Sequence, residues 1–192
     1  MNPFKLTSLV PLRPDRWLTY YEATYQTENG DLMPYHFVSR NPDLTIETLK
    51  RPANASAVAM FCYNQDHSQV LLTKQFRQPL NDFIYGNPAG LVEATETVEQ
   101  AISRELMEET GYPLIKVEQY FAPSYSSPGL TDGAVSLAIC TLDQALYTAR
   151  SLEADERLNV LWVNRAEAQT ILANEKITGR TQILLWQWAN EQ

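Results

Sequence analysis

Cysteine is scarce in this chain, and long apolar runs are absent. Cys62 and Cys140 are the two thiols among 192 residues, each inside an apolar stretch, AVAMFCY and VSLAIC. That usage excludes a disulfide-built framework. It reads as buried free thiols in a reducing compartment, so the cytoplasm is the expected location. No stretch approaches the roughly 20 apolar residues needed to cross a bilayer. The opening, MNPFKLTSLVPLRPDRW, has no charged segment leading into a long apolar one, so neither a signal peptide nor a membrane partner is expected. Positive charge is also in short supply: Lys and Arg number 15 against 23 Asp and Glu, for a net charge of −8. A long polyanion would be repelled, which excludes nucleic acid as a partner. A small phosphorylated substrate fits that balance, provided metal cations stand between the two.

The remaining composition is that of a globular protein. It is 44% apolar and 20% charged, with four Trp, ten Tyr and six Phe, so disorder is excluded. The length suits one ample core and a small extra lobe. Repeats and low-complexity tracts are absent. Residues 18–26 and 33–40 read as strands, and Glu28-Asn29-Gly30-Asp31 between them is a hairpin signal. Such a hairpin cannot bury both faces alone. Arg51-Pro52-Ala53-Asn54 reads as a hinge, which divides the chain into an N-terminal β lobe, 1–52, and a main domain, 53–192.

In the main domain, residues 55–63 and 69–74 read as strands around a polar turn, followed by a loop over 77–82 and an extended piece to Pro88. Residues 97–110 are the clearest helix, with Val98, Ala101, Ile102 and Leu106 as its apolar stripe. Thr97 with Gln100 fits a capping box, and Gly111 is placed to end the helix in the left-handed conformation. Residues 115–121, 134–142 and 158–163 read as further strands, with helices over 165–174, capped by Asn164 and Glu167, and over 181–190. The irregular mixture argues for an α+β fold.

The chemistry concentrates in GLVEATETVEQAISRELMEETGY, from Gly90 to Tyr112. On a helix Glu105 and Glu109 stand one turn apart on the same face, and Glu108 flanks them. Like charges so spaced destabilise a bare helix, whereas hard divalent cations favour clustered carboxylate oxygens. Gly90 is expected to allow a tight turn that leaves the Ala89 carbonyl free as an oxygen ligand. Arg104 is expected to tie the loop to the helix through Glu96 with a bidentate fork. A lone Glu-x-x-x-Glu pair is usually a solvated face. Seven fixed residue types, each at a usage of roughly 7%, arise by chance only about once in 10⁸ trials.

This stretch resembles the Nudix box, Gly-x5-Glu-x7-Arg-Glu-apolar-x-Glu-Glu-x-Gly-apolar. Every charged and glycine position matches, and Tyr112 alone departs at the last. The resemblance implies an α/β/α sandwich around a mixed sheet, a Mg²⁺ cofactor (Mn²⁺ as a substitute), and Ala89, Glu105, Glu108 and Glu109 as ligands. Glu108 and Arg104 count among the catalytic candidates. Three features outside the box look similar to the ADP-ribose pyrophosphatase branch: Gln75-Phe76-Arg77 before Pro88-Ala89-Gly90, Ser127-Pro128-Gly129 after the box, and an N-terminal lobe of the kind through which such enzymes form homodimers. These make Gln75, Arg77, Arg40, Tyr85, Ser127 and Gly129 the substrate-binding candidates. Phe83 and Tyr125 are further rings for stacking on a base or sugar, with a place in the core as the alternative. In the same branch an acidic loop before a late strand supplies the base. Here that loop is Leu152-Glu153-Ala154-Asp155-Glu156, with Glu156 as base or metal ligand and Glu153 as the alternative base.

Two positions depart from that branch. Gly86 stands where it has a glutamate four residues before the box glycine, and Gly133 where it has one after Ser-Pro-Gly. The expected reaction is hydrolysis of the pyrophosphate bond in a nucleoside diphosphate linked to another moiety, ADP-ribose or a related ADP-sugar first. A GDP- or UDP-sugar hydrolase is the alternative. A non-catalytic ligand sensor would call for a damaged box or an appended basic module, and the chain shows neither.

Overall fold

A computed structural model describes residues 3–49, 55–93, 95–152 and 157–191. The expected hinge at Arg51–Asn54 and the residues Glu153–Glu156 lie outside them. Two compact units result: Met1–Ser56 with Pro123–Val135, and Ala57–Ala122 with Ser136–Gln192.

The first unit is built on an antiparallel sheet in the order β1 (Phe4–Arg13), β2 (Thr19–Thr27), β3 (Leu32–Ser39). The β2–β3 hairpin closes where expected, with Gly30 at φ +91° and its N–H donating to the Thr27 carbonyl at 3.0 Å. Tyr21, Ala23 and Phe37 form a small core packed by Leu6 and Leu9 of β1. A short helix α1 (Ile46–Leu49) follows. Residues from the later segment complete this unit. The Val38 N–H donates to the Leu130 carbonyl at 2.9 Å, the Tyr35 hydroxyl donates to the Gly129 carbonyl at 2.6 Å, and β9 (Ser124–Tyr125) pairs with Ala134 and Val135.

The second unit is layered as the period of its strands dictates. Val58–Cys62 of β4 (Ala57–Tyr63) and Val70–Thr73 of β5 (Val70–Arg77) are unbroken buried runs, the mark of strands covered on both faces. Val58, Met60, Cys62 and Leu71 point one way. They meet Ala101, Ile102 and Leu106 of the helical segment that contains α2 (Val98–Glu105), together with Ala138, Cys140 and Leu142 of β10 (Ala134–Leu142). Phe61, Val70 and Leu72 point the other way, onto Ala168 and Ile171 of α3 (Arg165–Asn174) and Leu185, Trp188 and Ala189 of α4 (Gly179–Asn190). This alternation makes the expected α/β/α sandwich. The central order is β11 (Leu158–Val163), β5, β4, β10, β8 (Leu114–Tyr120). The strand β6 (Asp82–Gly86) pairs with β5, and β7 (Ala89–Leu91) pairs with β4. Cys62 and Cys140 are both buried and unbridged.

Candidate active site

The helix that carries the acidic residues starts as its sequence demands. The Thr97 hydroxyl accepts from the Gln100 N–H at 3.3 Å, and the Gln100 side chain accepts from the Thr97 N–H at 2.7 Å. The apolar stripe then seats Ala101, Ile102 and Leu106 against the sheet, all essentially sealed from solvent. The α-helix ends at Glu105, earlier than expected. Leu106–Thr110 is wound instead as a single π turn, in which backbone bonds span five residues rather than four. Gly111 closes it at φ +73°; a side chain there would also meet the Thr148 carbonyl at 2.3 Å.

Glu105 and Glu109 both reach β7 from this segment. The Glu109 carboxylate accepts the Ala89 N–H at 3.0 Å and is 5% exposed. Glu105 lies so close to Gly90 that a Cβ there would fall 1.8 Å from its carboxyl carbon. Gly90 is therefore needed for room, not for a turn. It pairs with Val58 inside β7, and its φ is not positive.

Arg104 binds this region together. Its Nε and one terminal nitrogen take both oxygens of Glu96 at 3.1 and 2.6 Å, and that nitrogen also donates to the Leu91 carbonyl at 2.9 Å. The other terminal nitrogen donates to Glu105 at 2.8 Å and to Glu108 at 3.0 Å. The bidentate fork to Glu96 is thus present, and the same guanidinium reaches two of the expected ligands. Arg104, aided by the Glu93 N–H, holds the Glu96 carboxyl below its usual range, and Glu96 foremost pushes the Arg104 guanidinium higher still.

Ala89, Arg104, Glu105, Glu108 and Glu109 therefore gather at one edge of the second unit. Among the described residues no three acidic, histidine or cysteine side chains close on one point as they stand. Arg104 occupies the position between Glu105 and Glu108. The donor set still fits a hard divalent cation. Three carboxylates (Glu96, Glu105 and Glu108) share one guanidinium, Glu109 accepts from the Ala89 N–H, Glu108 is 43% exposed, and all the donors are oxygen.

The other candidates fall elsewhere. Gln75 and Arg77 lie on β5 opposite Ile84 and Asp82, with Arg77 exposed. Tyr85 is 7% exposed in the core under α4, with the Lys74 ammonium 4.6 Å over its ring. Phe83 packs edge-on against Phe76. Arg40, Ser127, Gly129 and Tyr125 belong to the first unit. There Arg40, Tyr125, Tyr35, Phe37 and Asp132 line a cavity of about 570 Å³. Ser39, whose hydroxyl donates to Asp132 at 3.1 Å, also borders it, and no sequence signal links residues 93 apart. Glu153 and Glu156 lie outside the described residues.

Comparison with known proteins assigns the family. The NUDIX domain matches residues 53–186. The chain is 32% identical over 131 residues to the ADP-ribose pyrophosphatase of Bacillus subtilis, covering 68% of each chain. It is also 32% identical over 143 residues to the GDP-mannose pyrophosphatase of Yersinia enterocolitica, covering 70% of this chain and 73% of that one. A crystal structure of an ADP compounds hydrolase superposes with a TM-score of 0.71 over 98% of this chain and 92% of the other, at 17% identity, and so shares the fold. On the matched segment and the relatives it aligns with, the chain belongs to the NUDIX domain family and is a Nudix hydrolase.

Proposed function

We propose that this chain is a Mg²⁺-dependent pyrophosphohydrolase of a nucleoside diphosphate linked to another moiety, with ADP-ribose or a related ADP-sugar as its preferred substrate and Mn²⁺ as a substitute metal. The observation that carries the reading is that Glu105 and Glu108 share Arg104, while Glu105 lies against Gly90 and Glu109 accepts from the neighbouring Ala89 N–H. Those carboxylates, the Ala89 carbonyl and Glu156 would hold the cation. When bound, it supplies charge neutralisation of the diphosphate and Lewis-acid polarisation.

The chain's own groups do the rest. A carboxylate of the 153–156 segment, Glu156 or else Glu153, takes the proton of a water that attacks one phosphorus in line. The P–O bond to the bridging oxygen breaks, and that oxygen leaves on the second phosphate. The Arg77 guanidinium, exposed at the end of β5, offsets charge growing there, with Gln75 beside it. Arg40, Ser127 and Gly129 bind the remainder of the substrate. Tyr85, packed in the core, is left out. ADP-ribose would yield AMP and ribose 5-phosphate.

A GDP- or UDP-sugar substrate is the second reading. It is favoured by Gly86 and Gly133 in place of glutamates and by the equal identity to the GDP-mannose enzyme. The N-terminal lobe, 1–52, serves as the homodimer contact; Phe4, Val10, Leu12, Trp17 and Leu32 expose apolar surface that favours association. The unbridged cysteines support a cytoplasmic location.

The test is a substrate panel of ADP-ribose, GDP-mannose, UDP-glucose, dinucleoside polyphosphates, NADH and nucleoside triphosphates, assayed with Mg²⁺ and Mn²⁺ and repeated with Glu108→Gln. The expected outcome is Mg²⁺-dependent turnover led by ADP-ribose and lost in the variant. Hydrolysis confined to triphosphates would overturn the substrate class. Full turnover in Glu108→Gln would overturn the site.

A further inference from the structure

Thr110 is fully buried, and its hydroxyl donates to the Leu106 carbonyl at 2.5 Å. In an α-helix that carbonyl would accept the Thr110 amide, four residues on. Over Leu106–Thr110 the winding is π, which directs amides to partners five residues back. Pure π winding would hand that carbonyl to the Gly111 N–H, but this N–H donates to the Met107 carbonyl at 3.1 Å, and the Thr110 hydroxyl serves Leu106 in its place. A buried carbonyl without a partner would be costly, and a threonine hydroxyl bonded four residues back is a known means of bending a helix. The same oxygen also accepts the Tyr112 N–H at 3.2 Å, which fixes the chain just past Gly111.

What the π turn sets is the orientation of the acidic pair within it. Glu109 is turned inward onto the Ala89 N–H, while Glu108 stays 43% exposed beside Arg104. The backbone around them is held from outside by the Ser151 N–H on the Glu108 carbonyl at 3.0 Å and the Thr148 N–H on the Gly111 carbonyl at 2.9 Å.

We infer that Thr110 is a positioning residue for the cation site, its hydroxyl holding Leu106–Thr110 in the π winding that aims Glu108 and Glu109. This rests on the metal-site reading above. Valine keeps the shape and removes the hydroxyl, so Thr110→Val lets the segment rewind as α and displaces the Glu109 carboxylate from Ala89. Serine keeps the hydroxyl.

The test has two measurements. Mn²⁺ alone is titrated by electron paramagnetic resonance into the unaltered protein and into Thr110→Val, Thr110→Ser and Thr110→Ala, and the structure of Thr110→Val is determined. Affinity should fall about tenfold or more in the valine and alanine variants and return in serine, since supporting groups around a metal are worth roughly 10–100-fold. Equal Mn²⁺ affinity in valine and unaltered protein, or equal losses in serine and alanine, overturns the inference. The alanine–serine pair decides it should valine fail to fold. If the unaltered protein binds no Mn²⁺, the metal reading fails by itself, and the variant structure still decides: an unchanged π turn with Glu109 on Ala89 overturns the role of Thr110.

Discussion

Helices α2 and α3 both start with a capping box, Thr97 with Gln100 in one and Asn164 with Glu167 in the other. They lie against opposite faces of the same sheet. After Asn174, α3 stops as the chain turns extended at Glu175. Past Glu105, α2 runs on into a π turn and a left-handed glycine. Each also carries an arginine with several acceptors, but of different kinds. Arg104 holds the carboxylates of Glu96, Glu105 and Glu108. Arg165 lies over the Trp188 ring at 4.9 Å and donates to the carbonyls of Trp188 and Glu191. Equal beginnings with unequal ends separate two tasks. One helix is finished as packing, and the other is finished as a surface of aimed charge.

The largest effect should come where α2 meets β7. Gly90→Ala places a methyl on the Glu105 carboxylate, 1.8 Å from its carbon, and the side chain must leave. A displacement of that order costs about 10²-fold in kcat/KM. The overpacking adds an expected loss of about 1–3 kcal/mol in stability. Steady-state kinetics beside a denaturant titration check both. Activity within a few-fold of the unaltered protein would show that the close approach is not needed.

Next comes the pair of arginines. Arg104→Lys replaces a fork with a point charge that cannot serve Glu96, Glu105, Glu108 and the Leu91 carbonyl together, so kcat/KM should fall about 10–100-fold. Arg165→Lys should leave kinetics unchanged and cost about 1 kcal/mol, through its weaker hold on the Trp188 ring. Parallel kinetic losses in both variants would erase the contrast between the helices.

The starts of both helices could be read from the sequence because a capping box is local: two residues, three positions apart, decide it through their reciprocal hydrogen bonds. The range expected for α3, 165–174, is the one found. The strands β4 and β5 were legible from their apolar runs. The π turn was not, since nothing in LMEET distinguishes it from α winding until Leu106 is sealed against the sheet and Thr110 has no solvent to bond. Strand β1 was missed because most of its residues are exposed, Pro11 interrupts it, and it is held through bulged pairing to β2. The assignment of Pro123–Val135 to the N-terminal unit depends on bonds such as Tyr35 to Gly129, 94 residues apart, for which no local pattern exists.

The smallest effect sharpens the comparison through acid. Glu96, bonded by Arg104 and the Glu93 N–H, titrates below its ordinary value near 4.5. A carboxylate depressed by folding adds stability that is fully present above the ordinary value and is lost as the pH falls through the lowered one. Glu96→Gln retains the shape but has no proton to take up. The variant should therefore be less stable than the unaltered protein at pH 7, and the gap should narrow as the pH drops below about 4.5. Asp66, Asp82 and Glu118 are also held low, by Ser68, by Lys176 and by Thr141 first, but they remain in both proteins and cancel from the difference. Urea midpoints from pH 7 to pH 3 measure it. Curves that stay parallel would mean that the Arg104 clasp contributes nothing to folding, leaving α2, like α3, to be held by its buried stripe and its cap alone.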